Sequence, residues 1–151
     1  MKLRIDLLRH GETTLSHTLR GSTNDELTVL GWQQMQQTID QAVQNAGSMS
    51  WKLLFSSPLQ RCMKFTEILA MQFDLPMILS ADLQEMHFGD WEGISTAQIY
   101  ADAPELLANF WQYPTQYHAP NGETLAHFQA RILRGLAQIC EQMKAHQIEN
   151  V

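Results

Sequence analysis

The stretch from Leu3 to Leu8, apolar at Leu3, Ile5, Leu7 and Leu8, runs straight into Arg9-His10-Gly11-Glu12-Thr13. A short apolar run that stops at a glycine turn reads as a buried strand. In an open α/β sheet, ligands bind at the carboxyl ends of the strands. Such a strand delivers Arg9 and His10 to that edge, and Gly11 lets the chain turn sharply and approach a ligand closely. A cation and a nucleophile beside a turn suit an anion that is handled chemically; an ordinary charged loop at a strand end is the competing reading. The segment behind it completes the constraint. Thr28 is a helix cap, Trp32, Met35, Ile39, Val43 and Ala46 recur on one helical face, and Gly47 ends it. Trp51 to Phe55 reads as a second strand. Strand, helix and strand in that order imply a right-handed crossover and parallel pairing.

The second strand also ends in informative residues, Ser56-Ser57-Pro58-Leu59-Gln60-Arg61. Ser57 suits a helix cap and Pro58 the first helical position. Arg61 then falls in the first turn, at the positive end of the helix dipole. A cation there is unfavourable unless an anion binds at the same helix start; the alternative is a surface arginine tolerated at modest cost. Leu75 to Leu79 is a third short strand. The irregular segment Leu83 to Gly93 sets three acids, Glu85, Asp90 and Glu92, among Met86, Phe88 and Trp91. A carboxyl group held near apolar side chains has its pKa raised, which suits a proton donor, whereas a solvated loop acid needs no role. The polar loop Thr13 to Glu26 follows the first strand and carries Arg20, either a ligand-binding cation or a solvated one. Further on, Ser95 and Pro104 start short helices, and Trp111, Tyr113 and Tyr117 mark an aromatic insertion that walls a pocket or caps the sheet. Leu125, Phe128, Ile132, Leu136, Ile139 and Met143 define a long amphipathic helix. Ile148 to Val151 reads as the opening of another strand.

Composition narrows the partners. The net charge is −6 and there is no run of lysine or arginine, which argues against nucleic acid or an anionic membrane as the main partner. Cys62 and Cys140 stand in no CxxC spacing and read as reduced, buried thiols of a cytoplasmic protein. No apolar stretch approaches the ~20 residues a membrane span needs. His17, His87, His118 and His127 are too widely spread to form a metal-ligand motif.

Four motifs together carry a resemblance. Arg9-His10-Gly11-Glu12-Thr13 is similar to the RHGE(T/S) signature of the histidine phosphatase (phosphoglycerate mutase-like) superfamily, and Ser56 to Arg61 to its SSPxxR motif. Leu83 to Glu85 with Phe88 to Gly93 resembles the LxE…FGxWEG block of the phosphatase branch. Pro120-Asn121-Gly122-Glu123 resembles the PxGES segment before the long helix. Within the superfamily the chain looks most like the bacterial α-ribazole phosphatases of cobalamin synthesis and related small phosphomonoesterases. The resemblance implies one domain over residues 1–151: a three-layer α/β/α sandwich around a mainly parallel sheet, phosphoglycerate mutase-like, without its C-terminal strand or strands.

The same resemblance implies a chemistry. His10 attacks phosphorus and forms a phosphohistidine; Glu85 protonates the leaving alcohol and later activates water. Arg9 and Arg61 clamp the phosphoryl oxygens, and Arg20, Glu12 and Thr13 join the substrate-binding set. The implied partner is a small phosphomonoester, with no cofactor and no metal. The family's second active-site histidine, which follows a strand after the long helix, has no counterpart up to Val151, so a C-terminally truncated domain is expected. Two alternatives stand beside the phosphatase: a phosphoglycerate mutase-type phosphotransferase, and a non-catalytic phosphate-ligand binder that the missing histidine favours.

Overall fold

A computed structural model describes residues 2–47 and 50–151. Strand β1 (Leu54–Ser56) pairs in parallel with β2 (Met77–Leu79), Leu54 opposite Met77 and Ser56 opposite Leu79. Helix α2 (Gln60–Phe73) is the crossover between them. The chain's last residues enter the same layer. The Arg4 N–H donates to the Glu149 carbonyl at 2.7 Å, Val151 N–H to Arg4 at 3.1 Å, and Asp6 N–H to Val151 at 2.9 Å. On the other side the Lys52 N–H reaches the Asn150 carbonyl at 3.1 Å. Residues 149–151 thus lie between the N-terminal segment and the approach to β1. The strand expected over Leu3–Leu8 is reduced to a single parallel bridge at Arg4. A ladder needs a neighbour for each successive amide. Past Asp6 the segment pairs with nothing among the described residues, and Leu7 is 88% exposed. An apolar cavity of about 490 Å³ lies there, with Leu7 and Leu8 on one side, Phe55 and Ser56 on the other, and Ile39 and Ile139 in its walls.

Two helical layers cover the sheet, as the resemblance implies. Helix α1 (Val29–Ala46) begins at Thr28, whose hydroxyl accepts the Gly31 N–H at 3.0 Å, and ends at Gly47 in the left-handed conformation. With α2 it buries Met35, Ile39, Phe65 and Leu69 over Leu54. Helix α5 (Leu125–Ala145), capped by Thr124, buries Ile139 and Met143 against Leu53, Phe55 and Ile78. Successive strand residues point to opposite faces, so Leu53 and Leu54 enter different cores. Each large apolar side chain so buried contributes about 1.5–3 kcal/mol. Helices α3 (Thr96–Asp102, capped by Ser95) and α4 (Pro104–Gln112) form a side cluster in which Ile99, Leu107 and Phe110 pack on Trp91. Trp111, Tyr113 and Tyr117 of the aromatic insertion stay exposed.

Helix α2 starts later than expected, at Gln60 and not Pro58. Its cap comes from elsewhere in the chain: the Asn24 side-chain oxygen accepts the Gln60 N–H at 2.8 Å. Ser57 serves the turn instead, accepting the Leu59 N–H at 3.2 Å.

Two close contacts place the loops around His10. Gly11 and Gly31 face each other: a Cβ on Gly11 would sit 2.2 Å from the Gly31 carbonyl oxygen, and one on Gly31 2.0 Å from that of Glu12. Only glycine lets the segment after His10 cross the start of α1 so closely. The second contact is Glu92. Its carboxylate accepts N–H groups of Gly21, Ser22 and Thr23 at 3.0 Å, the Thr23 hydroxyl at 2.5 Å and the Phe88 N–H at 2.9 Å. Burial works to raise the Glu92 pKa, but these donors, the Thr23 hydroxyl first, outweigh it and hold the group down at about 2. Every partner is a donor, so a glutamine would set its own NH2 against them. We expect Glu92→Gln to lower stability by about 2 kcal/mol at neutral pH in denaturant unfolding. The contribution is complete above the unfolded carboxyl's pKa of 4.5 and is lost as pH falls toward 2, so the wild-type advantage shrinks across that window. An unchanged midpoint at neutral pH contradicts this role for Glu92.

Candidate active site

His10 is half-buried at the end of the N-terminal segment. Its Nδ1 lies 2.8 Å from the Gly11 carbonyl oxygen. A carbonyl only accepts, so Nδ1 carries the proton and Nε2 presents its lone pair away from the backbone. Burial lowers the His10 pKa first. The Gly11 bond opposes this, and the charges of Arg61, Arg20 and Arg9 add to the lowering. The imidazole is therefore neutral at neutral pH, and three guanidinium groups lie within electrostatic reach of it.

Arg61 is the deepest of the three, 1% exposed in the first turn of α2. Its Nη1 donates to the Thr23 carbonyl at 2.7 Å and to Asp25 Oδ1 at 3.0 Å, and its Nη2 to the Gly21 carbonyl at 2.8 Å. Its Nε is buried and has no hydrogen-bond partner. A buried unpaired donor is costly, and a bound anion's oxygen would satisfy it. Asp25, itself buried, faces both arginines: Arg20 Nε lies 3.0 Å from its Oδ2, without the alignment of a hydrogen bond. Arg20 is anchored further by long contacts to the Leu15 and Thr18 carbonyls. Arg9 is exposed, and among the described residues no hydrogen bond or ion pair engages it.

The three acids of the Leu83–Gly93 segment separate by environment. Glu92 is consumed by the loop donors described above. Asp90 accepts both contacts from the Asn121 amide, at 3.1 and 3.0 Å. Glu85 is exposed, and among the described residues its carboxylate takes only the Met86 N–H, at 2.7 Å. It lines a polar cavity of about 360 Å³ with Ser22, His87, Asn121 and Arg131. Cys62 feels the charge of both this acid and Arg61. Burial pushes its thiol pKa up; the Arg61 charge opposes the rise and the Glu85 charge adds to it. Cys62 also lines the larger cavity with His10.

The other sequence candidates are engaged structurally. The Glu12 carboxylate accepts the Thr28 hydroxyl at 2.7 Å, and the Glu12 carbonyl accepts the Thr28 N–H at 3.0 Å, at the start of α1. Thr13 is buried, with its N–H on the Ser16 hydroxyl at 2.9 Å. His17, His87, His127 and His146 are exposed, and His118 turns its Nδ1 to the Ala119 carbonyl at 2.9 Å. Reasoning from sequence missed two groups. Asp25 holds Arg20 and Arg61, but in the sequence it is one more polar residue of the loop Thr13 to Glu26. Arg131, on α5, holds the segment that carries Glu85, and nothing in the helical pattern singled it out.

A neutral imidazole with three cations within electrostatic reach, one of them carrying an unpaired buried donor, suits an anionic electrophile. A phosphoryl group fits: its transfer depends mainly on positioning and charge stabilisation.

Known proteins share this arrangement of sequence and fold. The chain matches the model of the "Histidine phosphatase superfamily (branch 1)" over residues 5–151. It is 33% identical over 138 residues to the "Bifunctional protein Rv2228c" of Mycobacterium tuberculosis, covering 90% of this chain but only 37% of that protein. It is 30% identical over 148 residues to the adenosylcobalamin/alpha-ribazole phosphatase of Escherichia coli, covering 92% of this chain and 68% of that one. The crystal structure of the alpha-ribazole phosphatase from Shigella flexneri superposes with a TM-score of 0.80 at 25% identity, over 99% of this chain and 71% of that one. The α/β fold is therefore that of the phosphoglycerate mutase-like proteins, and the chain belongs to the histidine phosphatase superfamily.

Proposed function

We propose that the chain is a metal-independent phosphomonoesterase that works through a phosphohistidine on His10. The observation that carries this reading is the pairing of a neutral His10, its Nδ1 proton held by the Gly11 carbonyl, with the buried Arg61, whose Nε is unpaired. The Nε2 lone pair attacks phosphorus in line as the bond to the leaving oxygen breaks. Arg61, Arg9 and Arg20 offset the charge on the phosphoryl oxygens; Arg61 and Arg20 are held in place by Asp25. Glu85 gives its proton to the departing alcohol, then takes one from the water that attacks the phosphohistidine. Water's oxygen bonds to phosphorus, the P–N bond breaks, and His10 Nε2 regains its lone pair. Glu12 and Thr13 contribute by fixing the segment that follows His10.

The leaving group we propose is a hydroxylated, ring-bearing alcohol, with α-ribazole 5′-phosphate the first substrate to try. The names of the Escherichia coli and Shigella relatives support that choice. The polar cavity beside Glu85, lined by Ser22, His87 and Asn121, offers hydrogen-bonding groups to such a moiety. A cytoplasmic setting and reduced cysteines accord with it.

Hydrolysis of p-nitrophenyl phosphate in the presence of EDTA tests the reaction class. The wild-type chain is expected to turn over without metal, and His10→Ala to lose at least ~10³-fold in rate. Absence of any hydrolysis from pH 5 to 8 at ~1 mM substrate overturns the reading. The His10 pKa also has a signed consequence. Only the neutral ring attacks, and its pKa is lowered from 6.5. We therefore expect kcat/KM to stay level through neutral pH and to fall on an acidic limb whose midpoint lies below 6.5. A limb centred above 6.5 contradicts a desolvated His10 among cations.

A further inference from the structure

Arg131 lies on α5, far along the chain from the acid and cation loops, yet two nitrogens of its guanidinium donate to the segment around Glu85 and the third to Glu123. Nη1 donates to the Asp82 carbonyl at 3.0 Å and the Gln84 carbonyl at 2.8 Å, and Nη2 to the Glu85 carbonyl at 3.3 Å. Nε and Nη2 form a fork on Glu123, at 3.0 Å to Oε1 and 2.7 Å to Oε2. Glu123 in turn grips the far flank of the acid. Its Oε2 accepts the His87 N–H at 3.3 Å, and its own N–H donates to the His87 carbonyl at 2.8 Å. Residues on both sides of Glu85 are thus tied to one ion pair, which is mostly shielded from solvent, at 18% and 14% side-chain exposure. The guanidinium also lies over the Phe128 ring, 5.2 Å from its centroid. Burial works to raise the Glu123 pKa, but the Arg131 fork and the other donors outweigh it and hold its carboxyl below the usual range.

The Glu85 carboxylate, by contrast, touches only the amide of its neighbour Met86. Nothing else among the described residues aims it. Its position is inherited from the backbone, and the backbone is set by Arg131.

On the reading that Glu85 is the proton donor, we propose that Arg131, through Glu123, is a positioning residue for proton transfer to the leaving alcohol. It does not bind the phosphoryl group. A bidentate planar fork plus three carbonyl acceptors suits arginine alone; lysine supplies the charge but not the geometry. A side chain that merely stabilised the fold would affect all substrates alike. One that aims the acid matters only where the leaving oxygen needs a proton.

The test compares kcat/KM for p-nitrophenyl phosphate, whose phenolate leaves without help, and for glycerol 1-phosphate, whose alkoxide must be protonated. The quantity kcat/KM covers phosphorylation of His10 and not the later hydrolysis. Glu85→Gln is the reference and is expected to slow the alkyl ester ~10²–10³-fold more than the aryl ester. For Arg131→Met we expect the same selectivity, at least ~10-fold against the alkyl ester, with inhibition by inorganic phosphate unchanged. Arg131→Lys should fall between the two. Should Arg131→Met not fold, Glu123→Gln, which weakens the fork and keeps the arginine, carries the same expectation at smaller size. An equal fall for both esters, or no change in a folded variant, overturns the role of Arg131. A Glu85→Gln variant without leaving-group selectivity overturns instead the assignment of Glu85 on which it rests.

Discussion

A cation sits in the interior of this protein, and much of the surrounding structure answers to it. Arg61 is buried at the start of a helix, where the backbone dipole adds to its cost. Asp25 and the carbonyls of Gly21 and Thr23 surround it and offset that cost. Removing one partner of such a pair costs about 3–5 kcal/mol, because the other is left as an uncompensated charge. The loop from Arg20 to Asp25 therefore has little freedom. Asn24 caps α2, Asp25 pairs with two arginines, and Glu92 collects the amides of residues 21–23.

That arrangement leaves a surplus of positive charge where His10 emerges. Asp25 faces Arg20 and Arg61, while Arg9 stands apart from it. In a chain whose net charge is −6, the excess is local and not part of a basic face. Burial first, and then these charges, lower the His10 pKa, and the same charges suit an anion beside the ring. Glu92 contributes at one remove. Spending an ionised carboxylate on loop amides and not on the arginines holds the loop in place without cancelling the field.

Much of this was legible in the sequence, and the divide follows the range of the interactions. Caps and periodic faces are local, so Thr28 and Ser95 and the apolar stripes of α1 and α5 could be read directly. The motif around His10 was legible for the same reason. Asp25 was not, because its meaning depends on Arg61, 36 residues away. Glu92 read as one of three equivalent acids until its partners, 69 to 71 residues distant, took it out of contention. Arg131 went unmarked, since three of its acceptors are backbone carbonyls that carry no sequence signal. The N-terminal strand was over-read. Its side-chain pattern is that of a strand, but a ladder also requires a neighbour, and pairing ends at Asp6.

The central claim is that the Gly11 carbonyl holds the proton on His10 Nδ1 and leaves Nε2 to attack phosphorus. Rapid acid-free quenching of the chain during turnover, followed by phosphorus NMR of the trapped protein, reads this directly. The account predicts one phosphohistidine, on His10, with phosphorus bonded to Nε2. A phosphoryl group on Nδ1 or on another residue, or turnover with no phosphoenzyme at all, would contradict it.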